Sequence, residues 1–398
     1  MNCEMVMQIV SFALSAVYSG IWFLRWAIHG VKRRMWVQLG WFSGLVCAGS
    51  VAGAVAWGAR MQRRTAEYKF KAAGSSTPRH YYVTYSTTYR LDAAFFIVYG
   101  LEFLCLIIPK LIMLRRLTNN ATCNDSGIGG ASLVRACRVT AAVAVLCSVG
   151  GWVALVVAGV HYVQVADLYD RAAAACDAQG NETASSAALF QQRIPIFTTA
   201  ETATSVQSIF EVIALFLVSA AFLILVPLSV AMFRRAERQV KDVTQRHSML
   251  LTHTGTASGR EERVAEALAV IGEETIEATS EQRRRIVIAC VVVLVTFPVR
   301  AAFDLLNAYS LFYDPYNNAC GPCSTCQSES LLINTWLDYT PELQPIVVAL
   351  SSPLPLFVSL WIITGAQTRA IAIVALMKRA RLGTGSSGSA DSRTPLVS

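Results

Sequence analysis

Four ionisable side chains and one amide lie within or at the ends of segments that are otherwise apolar: Glu102, Glu211, Arg300, Asp304 and Asn307. A charge in hydrocarbon is costly unless it is neutralised, paired, or turned toward the interior of a helix bundle. Arg300 and Asp304 are one helical turn apart, so an ion pair between them is available. One hypothesis is a polar ligand pocket built from these five residues. The alternative makes Glu102 a protonated structural acid and places the other charges at the membrane interface.

The depth of these charges follows from the apolar segments that carry them. Glu102 lies about nine residues from the start of one such segment, so at ~1.5 Å per residue it is about 14 Å from the outer boundary, near the bilayer centre. Arg300 follows Arg285 by 15 residues, which places it about 22 Å from the inner boundary and in the outer third. We therefore expect Glu102 to be the one deep charge.

A run of cysteines is the second set of residues with chemical potential. Cys320, Cys323 and Cys326 occur in Cys-Gly-Pro-Cys-Ser-Thr-Cys. The Cys-Gly-Pro-Cys part has the spacing of a thioredoxin-type redox site, but nothing strand-like precedes it. Zinc would need a fourth ligand, and this loop has no histidine. Disulfides formed in an oxidising compartment are the leading interpretation, with Cys176 as the natural partner of the third thiol. Four cysteines allow three connectivities, and one bridge within the loop plus one to Cys176 is favoured.

The composition is that of a membrane protein. Only 15% of the residues are charged and 54% are hydrophobic, whereas a soluble domain carries about 25% charged residues. The net charge of +8 does not indicate nucleic acid, because the basic residues lie at the ends of apolar segments rather than on one face. The sequence contains no phosphate-binding loop, no metal-ligand histidine pair and no Gly-x-Ser-x-Gly. We predict no enzymatic activity, no cofactor and no metal.

Seven segments reach the ~20 mostly apolar residues that a helix needs to cross a bilayer. They cover residues 5–28, 37–59, 92–114, 139–165, 207–233, 286–310 and 343–365. In the second segment, Gly40-x-x-x-Gly44 and Gly49-x-x-x-Gly53 permit close helix contact. The prediction is an all-α seven-transmembrane helix bundle over residues 1–381, with the lipid bilayer as its surroundings.

The distribution of Lys and Arg between the connecting segments predicts the orientation of the bundle. If the N-terminus is outside, the inner segments carry 23 of these residues and the outer segments nine, so N-outside and C-inside is favoured. The sequon at Asn181 then lies in an outer segment, as glycosylation requires, whereas those at Asn120 and Asn124 are inner and unused. The outer segment 60–90 is unusually basic. It is either an exception after a short helix or a contact for an anionic ligand or lipid headgroups.

The inner side carries the longest connection, residues 234–285. Within it we expect an amphipathic helix over 259–278, after a flexible stretch 242–257. Residues 368–381 mix apolar and basic side chains, which predicts a short amphipathic helix along the inner membrane surface after helix seven. The tail 382–398 has a composition typical of disorder.

Three prolines are candidate hinges, because proline removes one helical hydrogen bond. They are Pro298 in predicted helix six and the pair Pro353 and Pro355 in helix seven.

The topology resembles the G-protein-coupled-receptor architecture, but the motifs of the rhodopsin-like class are absent. Helix three ends without Asp-Arg-Tyr, and helix seven lacks Asn-Pro-x-x-Tyr. A closer resemblance is to a set of seven-helix membrane proteins of protists and oomycetes. It rests on Tyr-Gly-Leu-Glu-Phe-Leu-Cys-Leu at 99–106 and on the stretch 336–353, which begins Trp-Leu-Asp-Tyr-Thr-Pro-Glu-Leu. There is weaker similarity to the tobamovirus-multiplication seven-helix proteins of plants. What these resemblances imply is an architecture.

The first functional hypothesis is a receptor-like protein. A small ligand would bind among the outer ends of helices three, five, six and seven, and a cytosolic protein would contact residues 234–285 and 368–381. A transporter or channel that uses the intramembrane charges is the alternative, although no internal repeat is visible. A non-enzymatic scaffold is the third hypothesis. The membrane is either the plasma membrane or an endomembrane.

Overall fold

The structure is a computed structural model that describes residues 3–29, 34–73, 77–122, 128–177, 179–254, 259–312 and 343–351, together with residues 332 and 355. Within these residues the chain is helical and has no strand, so the all-α prediction is confirmed. The helices are α1 (Cys3–His29), α2 (Arg34–Ala72), α3 (Pro78–Thr122), α4 (Ile128–Ala174), α5 (Ala184–Gln191), α6 (Arg193–Thr254), α7 (Gly259–Phe312) and α8 (Leu343–Ser351).

Within the part of the chain that the structure describes, six helical stretches are long and apolar enough to cross a membrane. The candidate spans are Val6–Ile28, Gly40–Ala72, Pro78–Asn119, Ala131–Ala174, Ala184–Met232 and Thr279–Ser310. This is the architecture of a multi-pass helical membrane protein. The seventh predicted span, 343–365, is described only for α8 and residue 355. The count of seven and the orientation of the termini therefore stay predictions.

The distribution of side chains on α1 is the reverse of that in a water-soluble helix. Its buried face carries polar groups, since Gln8 is 1%, Ser15 5% and Ser19 0% exposed. Its exposed face is a stripe of large apolar side chains at three- and four-residue spacing: Met7, Val10, Leu14, Val17, Ile21, Leu24 and Ile28. Water would disfavour such a stripe, whereas hydrocarbon accommodates it and leaves the polar groups to bond internally.

The chain divides into two compact units, residues 1–226 with 289–360 and residues 227–288 with 361–398. In the first unit α1 packs on α2, α2 on α3, α3 on α4, α5 on α4, and α8 on α1. In the second unit Arg283 of α7 forms an ion pair with Glu237 of α6 at 2.7 Å. All residues of the candidate site described below belong to the first unit.

Small residues let the helices of the first unit approach closely. A Cβ atom placed on Gly53 of α2 would lie 2.6 Å from the ring of Phe12 on α1. One placed on Gly49 would lie 2.5 Å from the Leu106 side chain on α3. The predicted role of the Gly49-x-x-x-Gly53 spacing in close helix contact is confirmed, and it joins α2 to two different neighbours.

The helices extend well beyond the predicted membrane segments. Residues 60–72 and 78–91, predicted as an outer loop, continue α2 and α3. Residues 234–254 and 259–285, predicted as an inner connection, are helical parts of α6 and α7, so the expectation of a flexible stretch is wrong for 242–254. Hydropathy marks where a helix can lie in lipid, but it does not mark where that helix ends.

An aromatic cluster holds together the helix ends at the predicted outer side. Tyr82 and Tyr169 are buried at its centre, with Val165, Ala172 and Ala173. The Tyr82 hydroxyl donates to a carboxylate oxygen of Glu182 at 2.7 Å. Arg193, at the start of α6, lies 3.7 Å from the ring centroid of Phe190 on α5. The Tyr82 and Tyr169 ring centroids lie 6.0 Å apart, and an aromatic pair of this kind contributes about 0.5–1.5 kcal/mol beyond apolar burial. The cluster therefore fixes α3, α4, α5 and α6 to one another.

Candidate functional site

The candidate site is centred on Arg300, which is 1% exposed in α7. Its guanidinium forms an ion pair with Glu211 of α6, and its Nε lies 3.6 Å from Asp304 one turn further along α7. It donates to the Tyr99 hydroxyl of α3 at 2.6 Å and to the Ser351 hydroxyl of α8 at 3.4 Å. One side chain therefore connects α7 to three other helices.

The carboxylate of Glu211 has a second fixed partner. Gln207, one turn earlier on α6, donates from its side-chain amide to Glu211 at 2.5 Å. The hydroxyl of Ser208 in turn donates to the amide oxygen of Gln207 at 3.4 Å. All three side chains are buried, so α6 presents a preformed polar surface to Arg300.

Glu102 of α3 belongs to the same region but is bonded differently. It is 1% exposed, and neither of its carboxylate oxygens accepts a hydrogen bond from a described residue. It lies within electrostatic range of Arg300, Glu211 and Lys110. Its neighbours on α3 touch Arg300 directly, because the guanidinium carbon is 5.5 Å from the Phe103 ring centroid. Glu102 is thus a buried acid beside an arginine that binds other carboxylates.

Lys110 also belongs to this region, although as a basic residue near the inner end of predicted helix three it fits the pattern of a membrane flank. It is 4% exposed, and its Nζ lies 4.4 Å from the ring centroid of Phe297 on α7. A signal was present in the sequence, because Lys110 follows Glu102 by eight residues and so lies on a similar face of the helix. We call the set Tyr99, Glu102, Lys110, Glu211, Arg300, Asp304 and Ser351 the Arg300 cluster.

The structure places the Arg300 guanidinium beside the part of α3 that carries Glu102, whereas the predicted depths of the two charges in the bilayer stay predictions. Arg300 contacts Tyr99 and Phe103, which lie on either side of Glu102 along α3. The two charges therefore share one level of the bundle. Both α3 and α7 continue as helix past the boundaries from which the two depths were predicted.

The charge balance limits what the Arg300 cluster can do. Three acids, Glu102, Glu211 and Asp304, face two bases, Arg300 and Lys110. Within the described part of the chain, no three Asp, Glu, His or Cys side chains are grouped to hold a metal ion. Arg300 is the central cation of the cluster, and exchange of its ion-pair and hydrogen-bond partners is a change that this arrangement permits.

The remaining predicted site residues fall outside this arrangement. Asn307 is half-buried in α7, two turns after Arg300. Pro298 lies inside α7, two residues before Arg300. Pro355 is buried, and Pro353 lies outside the described residues.

The predicted disulfides involve residues that are mostly outside the described chain. Cys320, Cys323 and Cys326 all lie there. Cys176 forms no disulfide with another described cysteine, and its thiol lies 3.4 Å from the Ala172 carbonyl oxygen. The pairing therefore stays a prediction.

Acids pair with three of the seven basic residues in the segment 60–90, which was predicted to be outer. Arg60 and Arg63 of α2 each contact the same buried carboxylate, Asp92 of α3, at 3.1 Å. Arg90 pairs with Asp167 at 3.1 Å and with Asp170 at 2.7 Å. These ion pairs account for three of the basic residues without an anionic ligand.

The sequon at Asn181 lies in an ordered turn before α5. Asn181 is exposed, its backbone N–H donates to Asp177 at 2.7 Å, and its side-chain amide donates to the same carboxylate at 3.1 Å. The first of these bonds is the main reason that the pKa of Asp177 is lowered. Thr183, the third residue of the sequon, is the N-cap of α5 in a reciprocal pair with Ser186.

Comparison with known protein families, with curated proteins and with solved structures gives no match. The resemblance to seven-helix proteins of protists and oomycetes stays a prediction.

Proposed function

We propose that this chain is a receptor-like multi-pass membrane protein in which the Arg300 cluster holds the helices in one conformation until a ligand rearranges it. The observation that carries the proposal is the burial of Arg300 among partners on three other helices. A buried ionic network is often no more stabilising than an apolar core of the same volume. Ionisable residues within membrane helices instead mark sites of function.

Glu102 provides the alternative arrangement that a switch requires. It is a buried carboxylate close to Arg300 with no hydrogen bond from a described residue. If Arg300 exchanged Glu211 for Glu102, its ion pair would move from α6 to α3. A ligand that binds one of these arrangements more tightly would shift the population toward it.

The helices of the cluster lead toward the segment proposed to contact a cytosolic protein. α6 carries Glu211 and continues to Thr254, and α7 begins at Gly259 and carries Arg300. The two helices that carry the Arg300–Glu211 ion pair therefore also form the proposed contact segment 234–285. Residues 368–381 are the second proposed contact.

The test uses the full-length chain in cells, with a biotin ligase fused to its C-terminus. Glu211→Gln keeps the shape of the side chain and weakens its bond to Arg300. We expect normal surface expression together with a changed set of biotinylated cytosolic proteins. Arg90→Ala, which removes an exposed ion pair, is the matched control and should change neither. Normal expression of Glu211→Gln with wild-type labelling would contradict the receptor-like proposal, and loss of expression alone would indicate a structural role.

A second candidate function is a transporter or channel that moves protons. The observation in its favour is that Glu102 and Lys110 are both buried on α3, eight residues or about 12 Å apart along the helix axis. Purified protein in liposomes with an internal pH-sensitive dye measures the proton flux directly. A transporter would lose this flux in Glu102→Gln but not in Leu101→Ala, a change at a neighbouring exposed position. Absence of flux in the wild-type protein would favour the receptor-like function.

A further inference from the structure

A groove of about 620 Å³ lies between α3 and α4, and no residue of the Arg300 cluster lines it. Its walls are apolar along most of its length, with Leu111 and Ile112 on α3 opposite Val145 and Leu146 on α4. Leu146 is 70% exposed, so the groove is open to the surroundings of the bundle.

Two arginines lie at one end of this groove. α3 and α4 run antiparallel, since Gly100 packs against Leu155 and Gly159 against Ile97. Arg115 near the end of α3 is therefore level with Arg138 near the start of α4, and both line the groove. The apolar walls extend from these arginines toward the middle of the two helices.

The positive charge at this end has no acid to neutralise it within the described residues. Neither Arg115 nor Arg138 forms an ion pair there, in contrast to six other arginines. The sequence contains no Asp or Glu from 103 to 122 or from 128 to 166. Asp125, in the connection between α3 and α4, is outside the described part. The groove thus combines apolar walls with a cationic end.

We propose that this groove binds a glycerophospholipid with a negatively charged headgroup. Arg115 and Arg138 would bind the phosphate, because guanidinium groups match phosphate oxygens in charge and geometry. One acyl chain would lie along the apolar walls. In the predicted orientation this end faces the cytoplasmic leaflet, where anionic lipids concentrate and where basic pockets between helices bind their headgroups.

Native mass spectrometry of the full-length protein in detergent tests the proposal. The probes are phosphatidylserine and phosphatidylcholine with identical acyl chains, and inorganic phosphate alone. We expect the wild-type protein to bind phosphatidylserine roughly tenfold more tightly than phosphatidylcholine, given two basic contacts. Arg115→Gln with Arg138→Gln should abolish this preference. Arg135→Gln, at an exposed position of α4 that does not line the groove, should leave it unchanged.

A second pair of variants tests the apolar walls. Ala142→Trp fills the groove and should weaken binding of both lipids, whereas Val143→Trp, at an exposed neighbouring position outside the groove, should not. Equal binding of the two lipids by the wild-type protein would overturn the proposal. So would wild-type lipid preference in the double arginine variant. Competition by inorganic phosphate alone would identify an anion site that does not recognise lipid, and would overturn it as well.

Discussion

Arg300 of α7 and Glu211 of α6 form an ion pair in which the two side chains are only 1% and 2% exposed. Removing one partner of a buried pair strands the other charge, whereas replacing both by apolar side chains is often neutral or stabilising. The stability of variants at these two positions therefore separates the cost of a stranded charge from the contribution of the pair itself.

The first prediction concerns this pair. Arg300→Ala should lower the free energy of unfolding by about 3–5 kcal/mol, because Glu211 and Asp304 lose their cation. Arg300→Met combined with Glu211→Leu should lower it by less than the sum of the two single changes. Unfolding in mixed detergent micelles measures Arg300→Ala, the single variants Arg300→Met and Glu211→Leu, and the double variant. Arg90→Ala is an exposed-pair control that should cost less than about 1 kcal/mol. If the effects of the two single changes on the free energy of unfolding were additive, Arg300 and Glu211 would not stabilise each other as an ion pair.

The second prediction concerns Asp92, the buried acid shared by Arg60 and Arg63. Asp92→Asn keeps the shape of the side chain but removes the charge that both arginines contact. We expect a loss of about 1–3 kcal/mol, since two partly buried cations lose their acceptor. The neighbouring Glu67→Gln removes only a more exposed partner of Arg63 and should change the unfolding midpoint little. Equal effects of the two substitutions would mean that burial of Asp92 is unimportant.

The sequence contains enough information to place several of these residues in one region, but not to pair them. Helical spacing identifies Arg300 and Asp304 as neighbours, and hydropathy identifies Glu102 and Glu211 as charges within apolar segments. Neither signal specifies how α3 and α7 are aligned along their axes. That alignment depends on packing between side chains distant in sequence, such as Arg300 with Tyr99 and Phe103.

Residues at the ends of predicted spans are the hardest to interpret from the sequence. Lys110 fits the pattern of a basic membrane flank, yet it is buried against Phe297. Arg60 and Arg63 suggest an anion-binding loop until the position of Asp92 is known. In each case the deciding contact comes from another helix, and a single sequence does not carry that information.

The third prediction separates close packing from helix propensity. Gly53→Ala places a Cβ atom 2.6 Å from the buried ring of Phe12, and overpacking of this kind costs about 1–3 kcal/mol. Gly58, five residues later on the same helix, has no heavy atom within 4 Å of its Cβ position. Gly58→Ala should therefore be neutral or stabilising by up to about 1 kcal/mol. Thermal unfolding of the purified variants measures both, and equal stability would show that α1 and α2 do not approach as described.

The fourth prediction tests the orientation through the three sequons. Asn181 is exposed in the turn before α5, and in the N-outside orientation it lies on the side where glycans are added. Expression in glycosylating cells should give a product whose electrophoretic mobility increases on treatment with a glycosidase. Asn181→Gln should remove this shift completely. Asn120→Gln, at the end of α3, is the matched control and should leave it intact, as should Asn124→Gln. A glycan on Asn120 or Asn124 would reverse the orientation and would move the arginine end of the α3–α4 groove to the opposite leaflet, whereas the contacts of Arg300 would be unaffected.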